Sequence, residues 1–254
     1  MSAVKAAPVG PLDLAARFEG AGAKAGFRLE PFGDSGGFPL FALTRRTPGP
    51  RPRIYLSAGI HGDEPAPPMA LLSLLESGEF DGRAVWFICP MLNPQGLAGG
   101  TRENASGTDL NRDYRHLASP EVSAHVRWLE RQPNFDLAVC VHEDWESAGF
   151  YLYELNPDGR PSLAEPMISA ASKECPIDPS PVIEGREAKG GIIRPLLNPP
   201  EREKWPESIY LQVHHTRLSY TIETPSSLPL AKRVSALRAA LVAALDGTFS
   251  GHRD

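Results

Sequence analysis

The 254-residue chain contains only three cysteines, Cys89, Cys140 and Cys175, and no Cys-x-x-Cys pair. That odd count and wide spacing argue against both a disulfide framework and a cysteine zinc site. Cys89 and Cys140 close the apolar runs WFIC and LAVC, where a free thiol behaves as a small buried hydrophobe. A reducing, cytoplasmic setting is therefore expected. Excess basic charge is lacking too, since 26 Lys and Arg stand against 31 Asp and Glu, a formal net charge of -5. Phosphate backbones call for a basic surface, so no nucleic-acid partner is expected. No apolar run approaches the roughly 20 residues that span a bilayer. The N-terminal MSAVKAAPVGPLDLAARFEG lacks the apolar core of a secretory leader, so neither a membrane partner nor export is expected. Internal repeats are absent as well, and nothing in the sequence fixes an oligomeric state.

Proline is plentiful, with 26 residues, roughly twice the average share. The prolines are scattered as punctuation among loops and helix starts. Between them lie four continuous apolar runs, Ile54–Ala58, Ala84–Cys89, Leu137–Val141 and Leu218–Ile222. Continuous runs suit strands covered on both faces. Helical patterns fall at Pro67–Glu76, Ser119–Arg131 and Ser227–Leu245, the first two opening with Pro in the first turn. The Phe27–Arg46 region reads as two edge strands joined by a Gly-rich turn. Alternating strands and helices predict an α/β fold, with one mixed twisted sheet flanked by helices on both faces. A single domain over 1–254 is expected, with residues 1–25 loosely attached and 248–254 a disordered tail.

Sites in such folds collect beyond the carboxyl ends of strands. IYLSAGIHGDEPAPP ends its apolar run in His61, Asp63 and Glu64. His-x-x-Glu can bring an imidazole and a carboxylate to one metal where a strand bends into a turn. Alone, the pattern fits a solvated turn before a helix equally well. The run LAVCVHED places His142 at a second strand end. Together these residues make the two-His, one-carboxylate set that hydrolytic zinc sites use. NPQG (Asn93–Gly96) and TRENASGTDLNRDY (Thr101–Tyr114) follow the first motif, and TRLSYTIETPS lies near the end. Arg102 alone reads as a loop charge, while Asn93 and Asn111 read as turn residues. Asp109 is expected to orient neighbouring backbone or an arginine.

In their order, these motifs resemble the zinc metallocarboxypeptidase family, from about Gly33 to Pro225. The resemblance implies a carboxypeptidase A-like fold and one Zn2+ ion held by His61, Glu64 and His142. It implies Glu223 as general base, Arg102 as polariser of the scissile carbonyl, and Asn111 with Arg112 as clamp for a substrate carboxylate. Many members have a mobile tyrosine that closes the site; Tyr210 is the first candidate, with Tyr151 and Tyr153 behind it. Asp63 is expected to support a ligand, and Gly59 and Gly62 to let the backbone bend. His214 and His215 are weighed as competing ligands, while His116 and His125 are expected on the surface and His252 in a disordered end. The compact spacing looks more like the small bacterial branch that includes murein tripeptide amidases. The implied activity is cleavage of an amide bond beside a free carboxylate in a small peptide. An N-acyl amino acid is the alternative substrate, as in the succinylglutamate desuccinylase and aspartoacylase group, which shares His-x-x-Glu, Asn-Arg and His. That group typically adds a C-terminal β-domain, whereas 31 residues follow Glu223 here. A noncatalytic binding module on the same scaffold is the third reading.

Overall fold

The four apolar runs pair side by side in the middle of one sheet. A computed structural model of the chain describes residues 10–196 and 201–251. In chain order the elements are α1 (Pro11–Lys24), β1 (Arg28–Ser35), β2 (Phe38–Arg45), β3 (Arg53–Ala58), α2 (Ala66–Glu76), β4 (Val85–Cys89) and α3 (Pro94–Gly99). A 3-10 turn (Leu110–Arg112), α4 (Pro120–Leu129), β5 (Leu137–Asp144), β6 (Tyr151–Leu155) and α5 (Ala164–Ala171) follow. The chain then forms β7 (Val182–Ile183), β8 (Arg186–Glu187), β9 (Ile192–Ile193), α6 (Glu207–His214), β10 (Ser219–Pro225) and α7 (Leu230–Gly251). Eight strands form the sheet in the order β1-β2-β4-β3-β5-β10-β6-β9, and β7 and β8 make a separate hairpin. The centre, β4-β3-β5-β10, is parallel, whereas β1–β2, β2–β4 and β6–β10 pair antiparallel and β6–β9 is parallel.

Both faces of the central strands are covered, which is why their sequences do not alternate. Ile54, Leu56, Leu137, Val139, Tyr220 and Ile222 share one apolar cluster with residues of α1, α2, α5 and α7. Tyr55, Ala138 and Cys140 share the other with residues of α4 and α6. Side chains alternate along a strand, so His142 shares the α4/α6 side with Ala138 and Cys140. Glu223 lies on that side too, because Tyr220 and Ile222 point the other way.

Several expectations are corrected. Residues 11–24 are not loosely attached: they form α1, whose Leu14 and Phe18 are buried in the core. Residues 248–251 continue α7 as helix, while 252–254, with His252, lie outside the described residues. Only β1 of the predicted edge pair is an edge, since β2 also pairs with β4. Among the described residues no helix is long and apolar enough to cross a membrane.

His125 is not on the surface. It is 1 % exposed, on the inner face of α4. Tyr55 donates its hydroxyl proton to Glu207 Oε1 at 2.6 Å and lies 3.0 Å from His125 Nε2. It must therefore accept from Nε2–H, and Nδ1, 2.7 Å from the Tyr114 hydroxyl, accepts in turn. Burial, with a smaller push from His215, lowers the His125 pKa from 6.5 to about 3. The folded ring thus stays neutral while the unfolded one takes up a proton. Its stabilising effect is complete above pH 6.5 and is lost as pH falls towards about 3. Urea midpoints should drop more steeply between about pH 8 and about pH 5 for the natural chain than for His125→Gln. Equal slopes would contradict a buried neutral ring.

Candidate metal centre

β3 ends at Ala58, and the chain turns sharply into Gly-Ile-His-Gly-Asp-Glu. Gly59 has φ +64°, a conformation a side chain would strain, as expected of the bend. Gly62 serves a different purpose from the one expected. Its φ is not positive; a Cβ there would stand 1.9 Å from the Gly96 carbonyl carbon, because the turn packs directly on α3.

His61, Glu64 and His142 are each 3 % exposed, and one ligand atom from each lies within 4.8 Å of the others. His61 Nδ1 is 2.5 Å from Glu64 Oε1, and His142 Nδ1 is 3.1 Å from Oε2 of the same carboxylate. Burial would push the His61 ring down, but Glu64 and Asp109 outweigh it and raise it to about 9. Burial would likewise raise Glu64, yet His142 and His61 draw it down to about 2. Against burial, Glu64 and then Glu223 hold His142 above its usual value. Two imidazole nitrogens and a carboxylate aimed at one point, with each other as partners, are a donor set that fits zinc.

His61 Nε2 faces Asp109 Oδ1 at 3.3 Å, the carboxylate that often orients a ligating imidazole. Asp109 also accepts from the Asn111 N–H and from Arg102 Nε, at 2.9 and 3.2 Å. It thus orients both backbone and arginine, as read from the sequence. Asp63, expected to support a ligand, is exposed, and Asp109 occupies that position instead. Arg102 Nη1 reaches to 3.8 Å from Glu64 Oε1. Asn93 accepts from Gly96 N to cap α3 and donates to the Arg102 carbonyl, which ties the two motifs together.

Glu223 is the register partner of His142 on β5 and of Tyr151 on β6, so the three stand in a row on one face. Burial raises its pKa well above the carboxylate range; His142 opposes this, while Glu64, Glu184 and Asp144 add to it. All of these open into one cavity of about 720 Å³, which Arg102, Asn111, Arg112, Tyr151 and Tyr153 also line. Asn111 Oδ1 accepts from the Glu207 N–H at 2.9 Å, which leaves its amide N–H groups for a ligand.

Tyr210 does not line this cavity. It is 6 % exposed and packs its ring on Tyr114, His214 and His215, because α6 turns that face into the second core cluster. Tyr151 and Tyr153 are the tyrosines at the site. His214 and His215 line a separate recess with Phe135, at the opposite end of β5 from His142. They are not ligands here. His116 is exposed, as expected. Sequence reading missed Glu184, Arg186 and Arg202, which also border the cavity; no local motif marks any of them.

Comparisons with known proteins agree with this fold. Residues 50–152 match the family model of the succinylglutamate desuccinylase/aspartoacylase catalytic domain. Carboxypeptidase SOL1 of Arabidopsis thaliana is 31 % identical over 141 residues, 45 % of this chain. The chain spans only 28 % of that relative's length. A candidate metallopeptidase from Shewanella amazonensis superposes with a TM-score of 0.82 at 24 % identity, covering 93 % of this chain and 92 % of its own. A metallo-carboxypeptidase from Burkholderia cenocepacia gives 0.72 at 21 % identity, covering 95 % and 69 %. A single α/β domain with a buried His/Glu/His cluster at its strand ends is thus the class. The chain is carboxypeptidase-like in fold.

Glu64→Gln and His142→Ala should each abolish binding of one zinc ion per chain, measured by elemental analysis after dialysis; retention of that ion would remove the site from these residues. Gly62→Ala should destabilise the fold by several kcal/mol, since backbone and not a flexible side chain stands in the way. Thermal unfolding of the metal-free protein reads this out, and an unchanged midpoint would contradict the close packing.

Proposed function

We propose that the protein is a zinc-dependent hydrolase that cleaves an amide bond beside a free carboxylate in a small peptide. The observation that carries this is Glu223, set in register with His142 across β5 and β10, in the cavity that His61, Glu64, Arg102, Asn111 and Arg112 line. His61, Glu64 and His142 would hold the ion, which when bound acidifies water and polarises a carbonyl. Glu223 takes a proton from the attacking water and passes it to the leaving amine. Arg102, held through Nε by Asp109, turns its remaining donors to the oxygen on which negative charge develops. Arg112 offers a planar fork for the substrate carboxylate, and the Asn111 amide N–H groups supplement it. Peptides derived from murein are among the substrates of interest. Three buried free cysteines suit a reducing compartment such as the cytoplasm.

The second reading is an N-acyl amino acid amidohydrolase. It is favoured by the family match over residues 50–152, which spans all three proposed ligands together with Arg102, Asn111 and Arg112 but stops before Glu223. A chromatographic screen of zinc-loaded protein on peptides, muropeptides and N-acyl amino acids separates the two. Cleavage confined to N-acyl amino acids would overturn the peptidase reading.

Glu223→Gln should bind zinc normally yet lower kcat by about 10²- to 10⁴-fold on the best substrate of that screen. Undiminished turnover would remove Glu223 from the mechanism.

A further inference from the structure

Glu143 follows His142 on β5 and takes no part in the proposed chemistry, yet it is only 4 % exposed. Alternation along the strand sends its side chain to the α2/α7 side, opposite to that of His142. There its carboxylate gathers donors from three separate segments. Oε1 accepts from the Ala66 N–H at 2.6 Å. Oε2 accepts from the Ser226 hydroxyl at 3.3 Å and from Arg233 Nη1 on α7. Ala66 stands two residues after Glu64, and Ser226 three after Glu223. One buried carboxylate beside His142 therefore reaches the segments that carry Glu64 and Glu223.

The bond to Ala66 is the one that bears on the ligands. Ala66 opens α2 and is fully buried, and Pro65 before it supplies no side-chain cap. Pro65, Pro67 and Pro68 have no N–H, so Ala66 is the only backbone donor in residues 65–68. Without Glu143 that donor would stand in the core without its acceptor, at a cost to folding. The same prolines fix φ at every one of these residues except Ala66, which makes the link back to Glu64 stiff. A shift at Ala66 thus passes to Glu64 instead of being absorbed by the chain. Glu64 Oε2 lies 3.1 Å from His142 Nδ1, and a metal site tolerates errors of only about 0.2 Å in its ligand distances.

We infer that Glu143 is a positioning residue for the metal centre: through the Ala66 N–H it sets Glu64 against His142. The inference rests on the proposed metal site and adds to it a residue outside the ligand set. Removing the carboxylate alone would strand Arg233, so the test replaces both groups. A buried ion pair exchanged for neutral groups is commonly tolerated by a fold. Glu143→Gln/Arg233→Met keeps an acceptor for the Ala66 N–H, whereas Glu143→Met/Arg233→Met does not.

Zinc affinity of the full-length chain is measured by competition with a chromophoric chelator. The temperature is one at which circular dichroism shows each metal-free protein folded, so that lost stability does not enter the reading. The glutamine double variant should bind within about threefold of the natural chain, and the methionine one about tenfold or more weakly. Saturated with Co2+, the methionine variant should also show a changed visible absorption spectrum, which reports ligand geometry and not stability. Arg233→Met alone keeps the carboxylate acceptor and should stay within about threefold of the natural affinity; a tenfold loss there would place the effect in the ion pair and overturn the route through Ala66. Equal affinities for the two double variants would remove the positioning role and leave the metal centre standing. A natural chain that binds no zinc would remove the metal centre, and the positioning role with it.

Discussion

A carboxylate buried between two imidazoles is the interaction on which the rest of the site depends. Glu64 is withdrawn from water, which costs an isolated charge several kcal/mol. What offsets that cost comes from two strands: His61 from the turn after β3 and His142 from the end of β5. The distance between those rings is set by parallel pairing of β3 with β5, in which Ser57 meets Cys140 and Ala58 meets Val141. A slip of one residue would turn His142 to the α2/α7 side and leave Glu64 with one partner. The sheet register and the donor set are therefore a single constraint, reinforced where Gly62 lets the turn lie flat against α3.

Around that centre, polar residues that look like site residues in the sequence satisfy buried backbone. Asn93 caps α3 and fixes the Arg102 carbonyl; Asn104 accepts from two backbone N–H groups of its own loop and donates to Glu121; Asp113 accepts from Ala118 and Ser119. The irregular loop between α3 and α4 would otherwise carry unpaired groups under the cavity floor. Asn111 belongs to both tiers, facing the cavity while its Oδ1 holds the first turn of α6 at Glu207. Glu207 in turn reaches back to Tyr55 and Ser57 on β3, the strand that delivers His61. The loop, α6 and β3 are thus bound into one unit beneath the site.

This division explains what could be read from the sequence. Central strands were legible because burial on both faces leaves a continuous apolar signature, and the His61/Glu64/His142 cluster was legible because its residues lie at or just beyond the ends of such runs. Asp109 was legible in part: it was read as orienting backbone or an arginine, and it accepts from both the Asn111 N–H and Arg102 Nε. Tyr210 was not, because the pattern ESIYLQVH identifies α6 without saying which face meets the cavity. His125 was misread for a related reason: one imidazole on an amphipathic helix looks solvent-facing until Tyr55 and Tyr114 are known to flank it. α1 left no strand-like run and β6 only a short one, FYLYEL, so both emerge only from packing.

The cavity rim was the least legible part, since Glu184, Arg186 and Arg202 reach it from segments without a local motif. Strand ends can bring metal ligands and a base together for either an amide at a peptide terminus or an N-acyl amino acid. Beyond them the cavity is lined by Tyr151, Tyr153 and the β7–β8 hairpin. Its turn, Glu184–Gly185, holds both residues at positive φ, +48° and +70°, the arrangement that joins two short strands tightly. For Glu184 that conformation is unfavourable, and its carboxylate is fastened to the Tyr153 hydroxyl. Arg186 follows immediately, so the fastened turn also sets where its guanidinium stands. The rim at this hairpin is therefore held by a side chain, as the floor beneath it is held by the sheet that sets Glu223 beside His142 and Tyr151.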